Sequence, residues 1–384
     1  MSHQELPQDY KLLPTSPVKS IQSSSINTLS PSRSSINDNT VQLISRSHSR
    51  TPTPSKSLLS VNKNVNGHNQ SPSRSQNSTP IPVPTPSPKP QSQKEPKLTA
   101  LWGWKTISFK ELPEWAKDNE YIHKYYRPIS PSFIHAFSTV FRIHNETGNI
   151  WTHLLAFMMF IYAAVHYAVL LPNDKFTDPL IEKTIFMTFF FGACICFGFS
   201  WTFHTVCCHG NRVSCIFAKL DYSGIALMVM GSKVPFLYYS FYCDTVWKFV
   251  YILIMCTLGT MCVLMSQSET FSQPEYRGLR AGIFSGLGLS AIIPVTHIFI
   301  QFGFYHSFYD TYLWCMVAMA LFYLVGAAIY ASRVPERFAP GKFDLIGHSH
   351  QIFHCFVVIA ACFHMYAIYN LQVDRNRMGK VCYY

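Results

Sequence analysis

The chain has 384 residues, 48% of them hydrophobic, 15% aromatic and only 13% charged, with a formal net charge of +11. So apolar a chain is not an ordinary soluble globule; the balance is that of a membrane protein with polar extensions. The positive excess is local: residues 1–98 hold eleven Lys/Arg against four Asp/Glu, so net charge says little about the body of the chain.

Residues 1–98 repeat Ser, Thr, Pro and Asn, as in "SPSRSQNSTPIPVPTPSPKPQSQKEPK". With few aromatic or branched side chains this segment has no core to offset its ordering entropy, and it reads as a disordered cytoplasmic tail. Ser/Thr-Pro pairs at Ser16, Ser30, Thr51, Thr53, Ser71, Thr79, Thr85 and Ser87 make cytoplasmic kinases or adaptors its expected partners, with an unregulated spacer as the alternative. No apolar h-region follows a basic start, so no cleavable signal peptide is expected. Nor is a nucleic-acid partner, in the absence of a zinc-finger or aromatic-basic motif.

Residues 99–147 form a membrane-proximal segment. In "PSFIHAFSTVFRIH", Phe133, Ile134, Phe137, Val140 and Phe141 share one helical stripe, which fits a helix along the inner interface or one packed on the bundle.

From residue 148 apolar runs recur, each long enough at about 1.5 Å per residue to cross a hydrocarbon core about 30 Å thick. Seven are predicted, over 148–171, 182–207, 213–240, 246–267, 280–302, 311–331 and 348–371. The fold class is therefore an all-α membrane protein, a seven-transmembrane helix bundle over 148–371 with a short tail at 372–384. With the N-terminus inside, inner loops carry Arg212, Arg277, Arg280, Arg333, Arg337 and Lys342, and outer loops Lys175, Lys183 and Lys248. That bias favours N-in and C-out, although Arg375, Arg377 and Lys380 pull the other way. The twelve cysteines lie mostly in apolar runs with no paired spacing, as small packing residues do.

Under this topology three distant spans deliver polar groups to one depth. "SWTFHTVCCHG" puts Ser200 and His204 at the inner end of the second span, and "AKLDYSG" puts Asp221 in the first turns of the third. "GHSHQIFHCF" opens the seventh with His350 and His354, at i and i+4 on one helical face, as two ligands of a single metal require. His204 completes a three-histidine set for Zn²⁺, which leaves a fourth position for water. Cys208, four residues after His204, keeps a mixed thiolate site open as a rival. Lone histidines in helices more often make hydrogen bonds, the reading given to His166, His297 and His364 towards the outer ends. His153 is a weaker candidate to support the site, and His209 is placed in solvent. Lys219 and Lys233, near opposite ends of the third span, are expected to snorkel.

The stretches "HNETGNIWTHL" (144–154), "SWTFHTVCCH" (200–209), "KLDYSGIALMVMGSKVPFLYYSFYC" (219–243) and "SHQIFHCFVVIAACFHMY" (349–366) resemble the adiponectin-receptor branch of the progestin and adipoQ receptor family, also called haemolysin III-related. The resemblance covers roughly residues 100–372. It implies a seven-helix bundle with the N-terminus inside, and an intramembrane zinc site near the cytoplasmic face built from a Ser-xxx-His element, an Asp and a His-xxx-His element. Those positions are Ser200, His204, Asp221, His350 and His354 here.

Two functions fit. In the first, the metal activates water for amide hydrolysis of a ceramide-like membrane lipid, with Asp221 as base and Ser200 as oxyanion donor; the resemblance implies the same ceramidase-type activity. In the second, the zinc is structural and the bundle is a receptor for an extracellular ligand, with the plasma membrane expected ahead of internal membranes. A protein of lipid or zinc homeostasis without catalysis is the remaining form of this reading. A G-protein-coupled receptor lacks its Asp-Arg-Tyr and Asn-Pro-x-x-Tyr signals, a retinal protein its seventh-span lysine, and a transporter its matched broken helices. Because residues 1–98 offer no core, a chain begun near Leu101 is expected to fold as the full chain does. Size-exclusion and thermal melting of both in one detergent measure this.

Overall fold

Backbone amides in a hydrocarbon core have no water to bond, so apolar runs of this length close their hydrogen bonds internally as helices. The computed structural model describes residues 105–170 and 179–378, and in them the only β pairing is an isolated bridge between Ile107 and Tyr126. The elements are α1 (Phe133–Ser138), α2 (Thr147–Leu170), α3 (Pro179–Val206), α4 (Asn211–Ser240), α5 (Thr245–Ser266), α6 (Glu269–Ser272), α7 (Arg277–Leu289), α8 (Ile292–Tyr305), α9 (Leu313–Ser332) and α10 (Ser349–Met378). Seven spans long and apolar enough to cross a bilayer follow: α2, α3, α4, α5, α7 with α8, α9 and α10. The chain is thus a multi-pass integral membrane protein with the expected all-α fold. Residues 1–98 with their Ser/Thr-Pro pairs, Lys175 and Lys380 lie outside the described residues.

The fifth span departs from the continuous run expected. It breaks at Ser290 and Ala291, because Pro294 has no N–H to return to the Ser290 carbonyl and its ring crowds that position. The ladder passes the gap on bonds three residues back rather than four, from the Ala291 amide to the Gly288 carbonyl at 3.3 Å and from the Ile293 amide to the Ser290 carbonyl at 3.4 Å.

Close helix contact is set by small residues. On α4, a Cβ at Gly224 would lie 2.9 Å from the Cα of Cys196 on α3, and one at Gly231 would overlap the Thr188 carbonyl. With no side chain at these points α3 and α4 pack backbone against backbone, the usual device in lipid, where apolar burial gives little net drive. Beside them Phe160, Phe186, Phe189 and Phe197 form a fully buried aromatic layer with α2. The outward faces carry Leu155, Tyr162, Leu253 and Ile300 in the open, as lipid-facing helices do.

At the end where α3 finishes and α4, α7 and α10 begin, residues 105–145 strap the helix ends together. The Arg277 guanidinium pairs with the Asp118 carboxylate and Arg333 donates to the Asp118 carbonyl. Asn119 donates to Glu336 at 3.1 Å, and Glu336 in turn takes the Ser349 amide at 2.7 Å, capping α10. In α1, Phe133 lies against His209 and Phe137 against Trp201, while Ile134, and Phe141 in the 3-10 turn that follows, are each 82% exposed. The helix therefore packs on the bundle and still offers an apolar outer face. Most described cysteines are free thiols, but Cys243 is disulfide-bonded, a pairing that local spacing does not reveal.

Overpacking a tight contact costs about 1–3 kcal/mol. Gly231→Ala is accordingly expected to lower the melting temperature in detergent by several degrees, whereas Gly282→Ala on α7, where a Cβ meets nothing within 4 Å, leaves it unchanged.

Candidate metal centre

His204 sits in the last turn of α3, and Arg127 fixes that turn by donating to the His204 carbonyl at 2.5 Å and the Thr205 carbonyl at 2.8 Å. His350 and His354 occupy the first two turns of α10. The structure brings the three imidazoles together: their ligand-capable nitrogens all lie within 4.8 Å of one another, and the Nε2 atoms of His204 and His350 are 3.1 Å apart. Cys208 is not in this group; its thiol turns back to the Thr205 carbonyl, and the Cys207 thiol takes a bond from Arg127.

Two of the tautomers are set from behind. The His204 Nδ1–H donates to Glu146 Oε2 at 2.8 Å, and the His354 Nδ1–H donates to the Asn149 carbonyl at 3.2 Å. Both acceptors lack a proton to give, so Nε2 of each ring carries a lone pair. Neutral nitrogens oriented by a carboxylate and a carbonyl are the donor set a borderline ion such as Zn²⁺ takes, and the backing pattern is the one usual behind metal-bound histidine.

Glu146 was not singled out from the sequence, although it lies within the quoted "HNETGN" stretch. It stands one residue before α2 and also accepts from the Asn149 amide at 2.6 Å. Burial pushes its carboxyl up, but the hydrogen bonds from His204 and Asn149 and the charge of Arg127 outweigh that and hold it well below the usual carboxylate range.

Ser200, one turn before His204, and Asp221 on α4 are both buried. Both line a cavity of about 150 Å³ together with His153, His350 and His354, and its remaining walls are mostly apolar residues of α4, α7, α9 and α10. A second cavity, of about 240 Å³ and more polar, reaches His204 and His350 from the strapped end past Arg127, Asn145 and Glu146. His153 stacks on His354 at 3.6 Å with parallel planes and neither of its nitrogens has a partner. The remaining histidines are elsewhere: His297 meets the Tyr251 hydroxyl at 3.0 Å and His364 the Ser232 carbonyl at 2.9 Å, and His209 rests on Phe133. Lys233 does not snorkel; it is buried and lines the first cavity.

A seven-helix membrane protein with three histidines gathered at a cavity that a buried serine and a buried aspartate also line is thus defined by fold and site together. The haemolysin-III related family matches residues 141–365. Among relatives, an "Adiponectin receptor protein" of Drosophila melanogaster is 44% identical over 71% of this chain and 61% of its own length. "Heptahelical transmembrane protein 1" of Arabidopsis thaliana is 38% identical over 71% and 83%, and "ADIPOR-like receptor IZH2" of Saccharomyces cerevisiae 34% over 69% and 84%. The alignment spans about three fifths of the fly relative. The chain belongs to the haemolysin III-related, or progestin and adipoQ receptor, family.

Removing Glu146 would leave the His204 Nδ1–H buried without an acceptor, a loss of about 1–3 kcal/mol. Glu146→Ala should therefore melt earlier than wild type at pH 7. Because the folded carboxyl titrates below the ordinary glutamate value of about 4.3, its stabilisation is complete above that pH and is lost as pH falls through the folded value. The gap between the two proteins should accordingly narrow on acidification below about 4.3, as read by melting at a series of pH values.

Proposed function

We propose that the chain is a zinc-containing membrane receptor of this family that hydrolyses the amide bond of a ceramide-like lipid. The observation that carries the reading is the placement of the buried Ser200 and Asp221 on the lining of the same cavity as His350 and His354. A carboxylate there is unneeded by a metal already offered three nitrogens, and it suits proton transfer.

His204, His350 and His354 would hold the ion. Bound Zn²⁺ would supply Lewis acidity and lower the pKa of a water in its open position. The rest falls to side chains. The apolar walls from α4, α7, α9 and α10 take the acyl chain. Asp221 Oδ accepts the proton of the attacking water as its oxygen joins the amide carbon, and passes it to the departing nitrogen as the C–N bond breaks. The Ser200 hydroxyl, on the same cavity lining, donates to the developing oxyanion. The polar cavity beside His204 and Glu146 is the route for water.

Orientation belongs to the same reading. Cys243 follows α4 directly, and disulfides persist in oxidising compartments, so its bridge supports an outward α4–α5 connection, with the N-terminus cytoplasmic, the C-terminus outside and the plasma membrane as host. A receptor whose zinc is only structural is the second reading. It is favoured by the fly and yeast relatives being named receptors, with an extracellular ligand and cytoplasmic kinases or adaptors as partners.

Elemental analysis should find about one zinc per chain, removed for the most part in His350→Ala, His354→Ala. Asp221→Asn should keep the zinc but release fatty acid from labelled ceramide about 10² to 10⁴ times more slowly, and Ser200→Ala should lose less. A wild type that releases nothing above a metal-free control, or an Asp221→Asn variant at wild-type rate, would leave the structural-zinc receptor as the account.

A further inference from the structure

One side of the polar cavity beside His204 is made by a single loop of the strap. Its two ends meet in the β-bridge: the Ile107 amide donates to the Tyr126 carbonyl at 2.8 Å and the Tyr126 amide to the Ile107 carbonyl at 3.0 Å. The loop therefore starts and finishes at one point. Arg127, the next residue, is buried and bound to the His204 and Thr205 carbonyls, which fixes that point to the end of α3. Between its ends the loop places Leu112, Trp115, Asn119 and Ile122 on the lining of the cavity that Glu146, His204, Cys207 and His350 also line.

The far side of the loop is held by polar and charged groups. Asp118, near its middle, pairs with Arg277 at the start of α7, and its carbonyl accepts from Arg333 at the end of α9. Beside it Asn119 donates to Glu336 at 3.1 Å, the His123 amide donates to Asp344 at 2.9 Å, and the Tyr121 carbonyl accepts from the Gly341 amide at 2.9 Å. Apolar burial adds little, since Leu112 and Ile122 are the only apolar side chains of the loop that are buried. The Asp118 side chain itself is 60% exposed, so its pairing with Arg277 is open to screening by salt. A segment with few buried apolar contacts, tied down at an exposed ion pair, lies at the low end of local stability. Next to the bridge, Tyr125 has φ 68°, a left-handed conformation strained in a residue with a side chain, and such strain gathers at segments that switch.

We propose that residues 107–126 form a flap over the polar cavity, hinged at the Ile107–Tyr126 bridge and latched by Asp118 across Arg277 and Arg333. Because the bridge closes the loop on itself, the tip lifts as a unit once the latch is released, while Arg127 stays on α3. The cavity then opens to water at the charged end of the bundle, with Cys207 and His204 in its wall. One carboxylate-bearing residue reaches the ends of two spans, α7 and α9, so a relative shift of those ends acts directly on the latch. The flap governs which polar solutes reach the histidine group from this side. It stands whether or not the chain hydrolyses lipids; only the statement that it admits the reacting water rests on that reading.

Cys207 reports the flap, because it lines the cavity and its thiol rests on Arg127 at 3.1 Å, away from the latch. The purified full-length protein in detergent is treated with methyl methanethiosulfonate, a small neutral thiol reagent, and labelling of each cysteine is followed by peptide mass spectrometry. Wild type, Asp118→Asn and Asp118→Glu are compared. Asp118→Asn should label Cys207 about tenfold faster than wild type, the scale of a lost charge-assisted contact, and Asp118→Glu, which keeps the charge, should recover most of the protection. Raising salt from about 0.1 M to about 1 M, which shortens the screening length from about 10 Å to about 3 Å, should speed wild type and leave Asp118→Asn unchanged. Cys196, buried within α3, should stay protected throughout. An Asp118→Asn variant that labels at the wild-type rate overturns the proposal, and so does a wild type indifferent to salt, which tests the latch without any substitution. Asp118→Glu labelling as fast as Asp118→Asn overturns it as well, since charge would not be what holds the tip. Labelling of Cys196 in step with Cys207 does the same, because the whole bundle rather than a flap would be opening. No arm reads hydrolysis or bound metal, so failure here and failure of the hydrolase reading remain distinct.

Discussion

The hydrogen bond between Glu146 and His204 joins the start of α2 to the end of α3 at 2.8 Å, and that end of the bundle is arranged around it. In apolar surroundings an unpaired polar group has no water to fall back on, so each group added there must be closed by another. Arg127 closes the carbonyls at the end of α3, Asn149 serves Glu146 with its side chain and His354 with its carbonyl, and the His204 ring meets His350. Because Glu146 fixes which nitrogen of His204 carries the proton, it also decides which nitrogen can face a metal. One contact therefore sets both the packing of three helices and the chemistry available at their meeting point.

Much of this was legible in the sequence, for reasons that can be named. Seven spans follow from the length of apolar runs, which the bilayer thickness imposes on any chain. The pairing of His350 with His354 follows from helical spacing alone, and the arrival of His204, Ser200 and Asp221 at the same depth follows from alternating span direction. Where sequence reasoning stopped is equally physical. Depth is set by counting residues, but helix rotation is not, so nothing in the sequence tells that Lys233 turns into the cavity or that His153 stacks on His354. Glu146 lies before the first span, in a segment whose path depends on the strap from Asp118 to Arg277. The break in the fifth span had a signal in Pro294, which an apolar average across 280–302 conceals.

The two cavities give the histidine group an unusual setting for a membrane interior. One side is apolar and reaches deep between α4 and α9; the other is polar and opens among Arg127, Asn145 and Glu146. An apolar approach from one side and a polar one from the other are what the proposed hydrolysis of a lipid amide would require, since neither reactant is soluble where the other is. A structural ion makes no such demand, and a bundle stabilised by one would be better served by a dry surround.

Helix α4 links these parts mechanically. It carries Asp221 near one end of the cavity and Lys233 near the other, and on its opposite side Gly224 and Gly231 lie against the backbone of α3, the helix that presents Ser200 and His204. The closeness permitted by those glycines determines how far the Asp221 carboxylate stands from the histidine group. The same contact determines the rotation of α4, and with it the direction of Lys233. Any ligand long enough to touch both ends of the cavity therefore bears on the α3–α4 interface as well, and a helix displaced there to admit a longer chain would move the Asp221 carboxylate with it. Chain length and chemistry at the site are in this way coupled through backbone packing, without any contact between the two ends.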